Sequence, residues 1–124
     1  MNNSITLEFL RKHGKCINTI GSFCIFPPII CKDDCFISVQ AGTGYNSYPK
    51  EDIESMEYEE LELRCSDLST RERETLKQFN CTHDKDLFYN VPIKFIDILI
   101  ERHGGLDVTK ADKIIRENHG DKND

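Results

Sequence analysis

The chain has 124 residues, 38% of them hydrophobic, and its 16 basic and 22 acidic side chains give a formal net charge of −6. This length and apolar content predict one folded domain, and the absence of any segment with the ~20 apolar residues of a membrane span predicts no membrane partner. The acidic balance argues against a protein that coats long nucleic acids, because such proteins carry a basic surface.

The first predicted element is a short helix. Ser4 is suited to cap it, apolar side chains recur within residues 5–12, and Gly14 is a typical C-terminal stop. The residues before Ser4 lack the charged and apolar regions of a signal peptide. We therefore predict a cytoplasmic protein.

β structure is predicted next. Residues 16–26 are rich in β-branched and aromatic side chains, and Pro27 and Pro28 end or bend this strand. Residues 29–31 and 35–41 are separated by a polar turn, which predicts a β-hairpin.

The middle of the chain predicts one more strand and a helix. Residues 58–65 alternate between apolar and charged side chains, as expected of a half-buried strand. Ser69 and Glu72 have the spacing of a capping box, which opens a surface helix over residues 70–79.

An apolar helix is predicted after a strand over residues 87–91. Pro92 stands at its first helical position, and the helix ends at Arg102. Because apolar residues cover most of its circumference, it is either the central core helix or half of an oligomer interface. A last short helix is predicted over residues 109–117.

Together these elements predict the α+β class, with a small antiparallel sheet of about four strands packed against helices. Residues 1–118 are predicted to form one ligand-binding domain, and residues 119–124 a disordered tail. We also expect a homodimer or a higher oligomer, because the apolar helix needs a partner surface.

The sequence offers little support for a catalytic site. No serine, cysteine or threonine stands in a compact arrangement with a histidine and a carboxylate, and the four histidines lie near helix ends or in loops. Gly42-Thr43-Gly44 lacks the third glycine and the following helix of a dinucleotide fingerprint. We predict a protein that is not an enzyme and has no cofactor.

Metal binding is also weakly supported. Cys31, Cys35, Cys81 and His83 have the softness that zinc prefers, but only one residue separates the last two. The six cysteines are predicted to be thiols, most of them buried. The acidic run over residues 57–62 is interpreted as a solvated strand edge.

Binding chemistry is concentrated in the loop after residue 41. Gly42 and Gly44 permit positive φ, and Tyr45 and Lys50 add a ring and a cation beside amide and hydroxyl groups. This composition suits a small polar ligand that contains rings. The alternative is an ordinary strand-to-turn connection.

Anion binding requires fixed cations, for which Arg64, Arg102 and Arg116 are candidates. Arg64 projects from a strand, although it is also placed to pair with Glu60 or Glu62, and Arg116 suits a helix C-terminus. At the strand-to-helix junction, Tyr89 and Asn90 offer a ring and an amide to a ligand.

Several short segments between residues 36 and 105 resemble one family of phage proteins. They are Ser38-Val39-Gln40-Ala41-Gly42, Tyr45, Ser47, Pro49-Lys50, Tyr58, Leu61-Glu62-Leu63, Tyr89-Asn90-Val91-Pro92-Ile93 and His103-Gly104-Gly105. This pattern is similar to the phage anti-Thoeris sponge family, the first-described Thoeris anti-defence proteins.

The resemblance implies a non-enzymatic protein, dimeric or larger, that captures a cyclic ADP-ribose isomer in the infected bacterial host. It implies arginines on the phosphates, for which Arg64 and Arg116 match, and an aromatic ring on the adenine, for which Tyr89 matches. Asn90 or Asp97 would address the ribose. It further implies that cyclic oligonucleotides bind some relatives at separate sites.

Two other functions remain open at this point. The acidic face over residues 57–62 would suit a protein inhibitor that binds a host nuclease or another basic effector. An enzyme that hydrolyses the signal is the third reading, but the sequence offers no evident acid and base pair for it.

Overall fold

The computed structural model describes residues 4–14, 18–20, 23–110 and 112–113 of this α+β protein. Its elements in chain order are α1 (Ile5–His13), β1 (Asn18–Ile20), β2 (Phe23–Ile25), β3 (Ile29–Ile30), β4 (Phe36–Gln40), β5 (Glu60–Arg64), α2 (Thr70–Leu76), a 3-10 helix (Lys77–Phe79), β6 (Leu87–Pro92) and α3 (Ile93–Arg102). Helical residues also occur at 108–110 and 112–113. The predicted tail lies outside the described residues.

The main sheet has four antiparallel strands in the order β3-β4-β5-β6. Val39 of β4 is opposite Leu63 of β5, and Leu61 of β5 is opposite Val91 of β6. The predicted hairpin is confirmed, since β3 and β4 are antiparallel neighbours. The single strand predicted over residues 16–26 is wrong, because β1 and β2 pair with each other as a separate two-stranded unit.

The core lies between one face of the sheet and the helices α1 and α3. Strand side chains alternate, so that the inward positions are buried and the outward positions are more exposed. The main buried residues of this core are Phe9, Leu10, Ile37, Val39, Leu61, Leu63, Phe88, Val91, Ile96, Leu99 and Ile100. Burial of this apolar surface is the main term that holds the helices on the sheet.

The helix ends follow the predicted chemistry. The Ser4 hydroxyl accepts a hydrogen bond from the Leu7 N–H at 3.1 Å, and Ser69 with Glu72 forms a complete capping box. Pro92 is the N-cap of α3 and Ile93 its first helical residue, so the prediction that Pro92 stands at the first helical position is wrong by one residue.

The apolar helix α3 is a core helix with a single exposed apolar residue. Ile96 and Ile100 are fully buried, whereas Ile98 is 52% exposed. None of the described helices is both long enough and apolar enough to cross a membrane. The oligomeric state stays a prediction.

Candidate functional site

The candidate site is built around a β-bulge between β5 and β6. Leu61 is opposite Val91 and Leu63 is opposite Phe88, so two residues of β6, Tyr89 and Asn90, oppose Glu62 alone. Asn90 takes a φ of 53°, in the left-handed region that asparagine tolerates better than most residues. Alternation from the buried Phe88 points Tyr89 away from the core, and the extra residue returns Val91 to the buried side.

The glycine–tyrosine loop, residues 42–48, docks on this bulge. The Asn90 N–H donates to the Asn46 carbonyl oxygen at 3.0 Å. Glu62 Oε1 accepts from the Asn46 backbone N–H at 3.0 Å and from its side-chain Nδ2 at 3.2 Å. Asn46 therefore ties the loop to both strands at the position of the bulge.

Hydrogen bonds inside the loop region fix its shape. Gly42, at a φ of 104°, donates its N–H to the buried Ser47 hydroxyl at 3.0 Å, and Ser47 donates to the Pro49 carbonyl at 2.8 Å. The Asp52 carboxylate accepts from the Thr43 N–H at 3.0 Å and occupies the space that a Cβ on Gly42 would need. Gly42 thus uses the positive φ that glycine permits, and these hydrogen bonds hold the loop in one conformation.

Polar side chains line the sheet surface opposite the core, which we call the outer face. By strand alternation it carries Ser38, Gln40, Glu60, Glu62, Arg64 and Tyr89. Tyr45 lies near Glu62: burial, and then the Glu62 charge, raise the pKa of its phenol. The predicted binding residues Tyr45, Arg64, Tyr89 and Asn90 are thus brought to one region.

Arg64 pairs with Asp84 at 2.6 Å, and its side chain is 53% exposed. The partners suggested by strand spacing, Glu60 and Glu62, are not the ones found. Arg64 is opposite Leu87, and this register places the preceding turn with Asp84 beside it. The Asp86 N–H, and then Arg64, lower the pKa of Asp84.

The other predicted ligand residues are placed differently. Asp97 lies on α3, and its Oδ1 accepts from the Ser4 hydroxyl, the Thr6 N–H and the Thr6 hydroxyl at 2.7 to 2.9 Å. It belongs to the α1–α3 contact, across the sheet from the outer face. Lys50 is exposed just after the glycine–tyrosine loop, and Arg116 lies outside the described residues.

The described cysteines do not form a metal site. The Sγ atoms of Cys35 and Cys65 lie 3.8 Å apart in the core, and burial raises the pKa of nearby Cys31 to about 11. Cys81 is exposed. Within the described ranges no group of three or more His, Cys, Asp or Glu residues is arranged to hold a metal ion.

His103 is the centre of an ionic cluster that sequence reasoning missed. Its Nδ1 lies 2.6 Å from Asp33 Oδ2 and its Nε2 lies 3.1 Å from Glu72 Oε2, while the Arg102 Nε donates to the same Glu72 oxygen at 3.0 Å. Burial opposes the imidazolium, but the two carboxylates outweigh it and raise the pKa of His103. Because a carboxylate holds each ring nitrogen, His103 links α2, α3 and the β3–β4 turn.

Comparison with protein-family models, with curated proteins and with solved structures gives no significant match. The bulge and the docked loop offer the phenol rings of Tyr45 and Tyr89, the amides of Asn46 and Asn90, the guanidinium of Arg64 and the carboxylate of Glu62, a set that suits recognition of a ring-containing polar anion.

Proposed function

We propose that this protein is a phage-encoded anti-defence protein that binds a cyclic ADP-ribose-derived immune signal, such as glycocyclic ADP-ribose, and sequesters it without cleavage. The observation that carries the proposal is the docking of Asn46 onto the Tyr89–Asn90 bulge beside Arg64. The resemblance of neighbouring segments, Tyr89-Asn90 among them, to the anti-Thoeris sponges supports it.

Each chemical part of such a signal has a matching group at the outer face. The Tyr89 ring is half-buried and is assigned to stack on the adenine, an interaction worth ~1 to 3 kcal/mol per base. Asn90 is assigned to the ribose. Glu62 uses Oε1 for Asn46, and its other oxygen is suited to accept from a ribose hydroxyl.

Arg64 is assigned to the phosphates. Its present partner Asp84 is more than one-third exposed, and pairs of this kind contribute about 0 to 1 kcal/mol. The Arg64 guanidinium gains more interaction energy from two phosphates than from Asp84, because bidentate charge-assisted hydrogen bonds are stronger than one exposed hydrogen bond. Exchange of Asp84 for a pyrophosphate is therefore favourable.

The outer face is half-exposed in one chain, and we assign its closure to a second copy. A homodimer, or an assembly of dimers, would shield the signal from water and strengthen its polar contacts. Function then follows from mass action, since tight binding lowers the free signal concentration and turnover has no role. Cyclic oligonucleotides would occupy separate sites.

The acidic inhibitor is the weaker candidate. Glu57 pairs with Arg11 at 2.8 Å and Glu62 binds Asn46, so two carboxylates of the predicted acidic face already have partners within the chain. A face that docks on a basic effector would instead present its carboxylates outward.

Capture followed by release tests the proposal. The protein is mixed with glycocyclic ADP-ribose, small molecules are removed by filtration, and the retained protein is heated and its supernatant analysed by mass spectrometry. Intact signal in the heated supernatant is the expected result. Recovery of a hydrolysed product would indicate an enzyme, and no recovery would refute capture.

A further inference from the structure

A second recess lies between α2 and α3, apart from the outer face. It has a volume of about 140 Å³ and is lined by Leu76, Leu99, Phe95, Ile98, Thr75 and Glu72, with Arg71 and Arg102 beside them. Leu76 and Leu99 are each 3% exposed, whereas Ile98 is 52% exposed. The recess therefore has a buried apolar floor and an accessible apolar edge.

Its aromatic wall is held in place. The Phe95 ring packs on Phe79 with centroids 5.5 Å apart and planes inclined by 60°. The Thr75 hydroxyl donates to the Arg71 carbonyl at 3.1 Å, which leaves the Thr75 methyl group for apolar contact. A flat or aliphatic body would find apolar surface here without displacing a polar contact.

The two arginines give the recess a positive rim. Glu72, itself 6% exposed, accepts from the Arg102 Nε and so fixes that guanidinium, whose terminal nitrogens make no hydrogen bond to any described residue. The Arg71 guanidinium likewise has no ion pair or hydrogen bond with the described residues. Since acidic residues outnumber basic ones by 22 to 16, these unpaired donors do not reflect a shortage of carboxylates.

We propose that the α2–α3 recess binds a small organic anion with an apolar, ring-containing body and one anionic head. The body would contact Leu76, Phe95 and Leu99, and the head would bind Arg71 and the terminal nitrogens of Arg102. Apolar lining with a few convergent polar groups is the usual make-up of a small-molecule site. The site is independent of signal capture, because it lies between helices and shares no residue with the outer face.

Two matched dyes test the proposal. 8-Anilinonaphthalene-1-sulfonate carries the anionic head, and N-phenyl-1-naphthylamine has the same rings without it. We expect the sulfonate to bind saturably to the folded protein and to shift the methyl resonances of Leu76, Ile98 and Leu99. Arg71→Gln should weaken the sulfonate about tenfold, the loss expected for one charge-assisted contact, and leave the neutral dye unchanged.

Lys77→Gln is the control, because it removes one exposed positive charge just after α2 without altering the recess. Ile98→Gln changes the apolar edge and should weaken both dyes. The assignment would be overturned if the sulfonate did not bind saturably, or if Arg71→Gln and Lys77→Gln lost the same amount of sulfonate affinity. Methyl shifts confined to other regions of the protein would overturn it as well.

Discussion

The backbone N–H of Asn90 donates to the carbonyl oxygen of Asn46 at 3.0 Å, and this bond joins the β6 bulge to the glycine–tyrosine loop. Asn46 in turn donates twice to Glu62, the residue that the bulge faces. The loop and the bulge thus hold each other, which places Tyr45, Tyr89 and Arg64 around one surface.

Replacement of Asn90 tests the conformation of the bulge. Its φ of 53° is costly for a β-branched side chain, so Asn90→Val should lower the free energy of unfolding by about 1 to 2 kcal/mol. Asn90→Gly, which tolerates positive φ, should retain most of the stability. Urea unfolding measures both, and equal stability of the two variants would show that the bulge imposes no such strain.

The Arg64–Asp84 pair gives a reciprocal prediction for ligand affinity. Arg64→Gln should weaken binding of glycocyclic ADP-ribose by roughly tenfold to a hundredfold, because a hydrogen bond to a charged group is worth ~1.5 to 3 kcal/mol. Asp84→Asn removes the competing carboxylate and should leave affinity unchanged or tighter. A loss of affinity in Asp84→Asn with an intact fold would mean that the pair itself, and not the free guanidinium, is needed.

Asp97 is expected to act on stability and not on binding. Asp97→Ala removes the acceptor of three hydrogen bonds from Ser4 and Thr6 and should cost about 2 kcal/mol of unfolding free energy. Asp97→Asn keeps a carbonyl oxygen at this position and should cost less. If Asp97→Ala stays folded but no longer binds glycocyclic ADP-ribose in a titration, Asp97 contacts the ribose.

The His103 cluster predicts a pH dependence of stability. Because folding raises the pKa of His103, its contribution is complete below the ordinary value of 6.5 and is lost as the pH rises through the folded-state pKa. His103→Gln should therefore be about 1 kcal/mol less stable than wild type on the acid side of 6.5, with the difference shrinking above it.

The difference in stability between wild type and His103→Gln isolates the contribution of His103. His13 titrates in the opposite sense, since burial lowers its pKa, but it is present in both proteins and cancels in the difference. Chemical unfolding at a series of pH values gives the measurement. A difference that stays constant across that range would show that the imidazolium is not stabilised by Asp33 and Glu72.

Local sequence signals account for most of the elements. The Ser4 cap, the Ser69–Glu72 capping box and the alternation along β5 depend on residues one to four positions apart, and each is found in the fold. The pairing of β1 with β2 was missed because Gly21-Ser22, a dipeptide typical of hairpin turns, was interpreted as part of one strand.

The arrangement of the site was harder to predict from sequence. The Arg64–Asp84 pair and the Asn46–Glu62 contact depend on strand register and on the bulge, which bring together residues 20 and 16 positions apart. The residue types at the outer face could be chosen from the sequence as candidate ligand-binding groups. The sequence alone did not distinguish Asp97 from these groups, because only the packing of α1 on α3 shows that its carboxylate accepts hydrogen bonds from α1.

Calorimetric titration of the protein with glycocyclic ADP-ribose, in wild type, Tyr89→Phe and Tyr89→Leu, tests the central claim most directly. We predict saturable binding for wild type, similar affinity for Tyr89→Phe, and a loss of ~1 to 3 kcal/mol for Tyr89→Leu, because only the last removes the stacking ring. Absence of binding to wild type, or equal affinity in all three proteins, would contradict capture of the signal at the outer face.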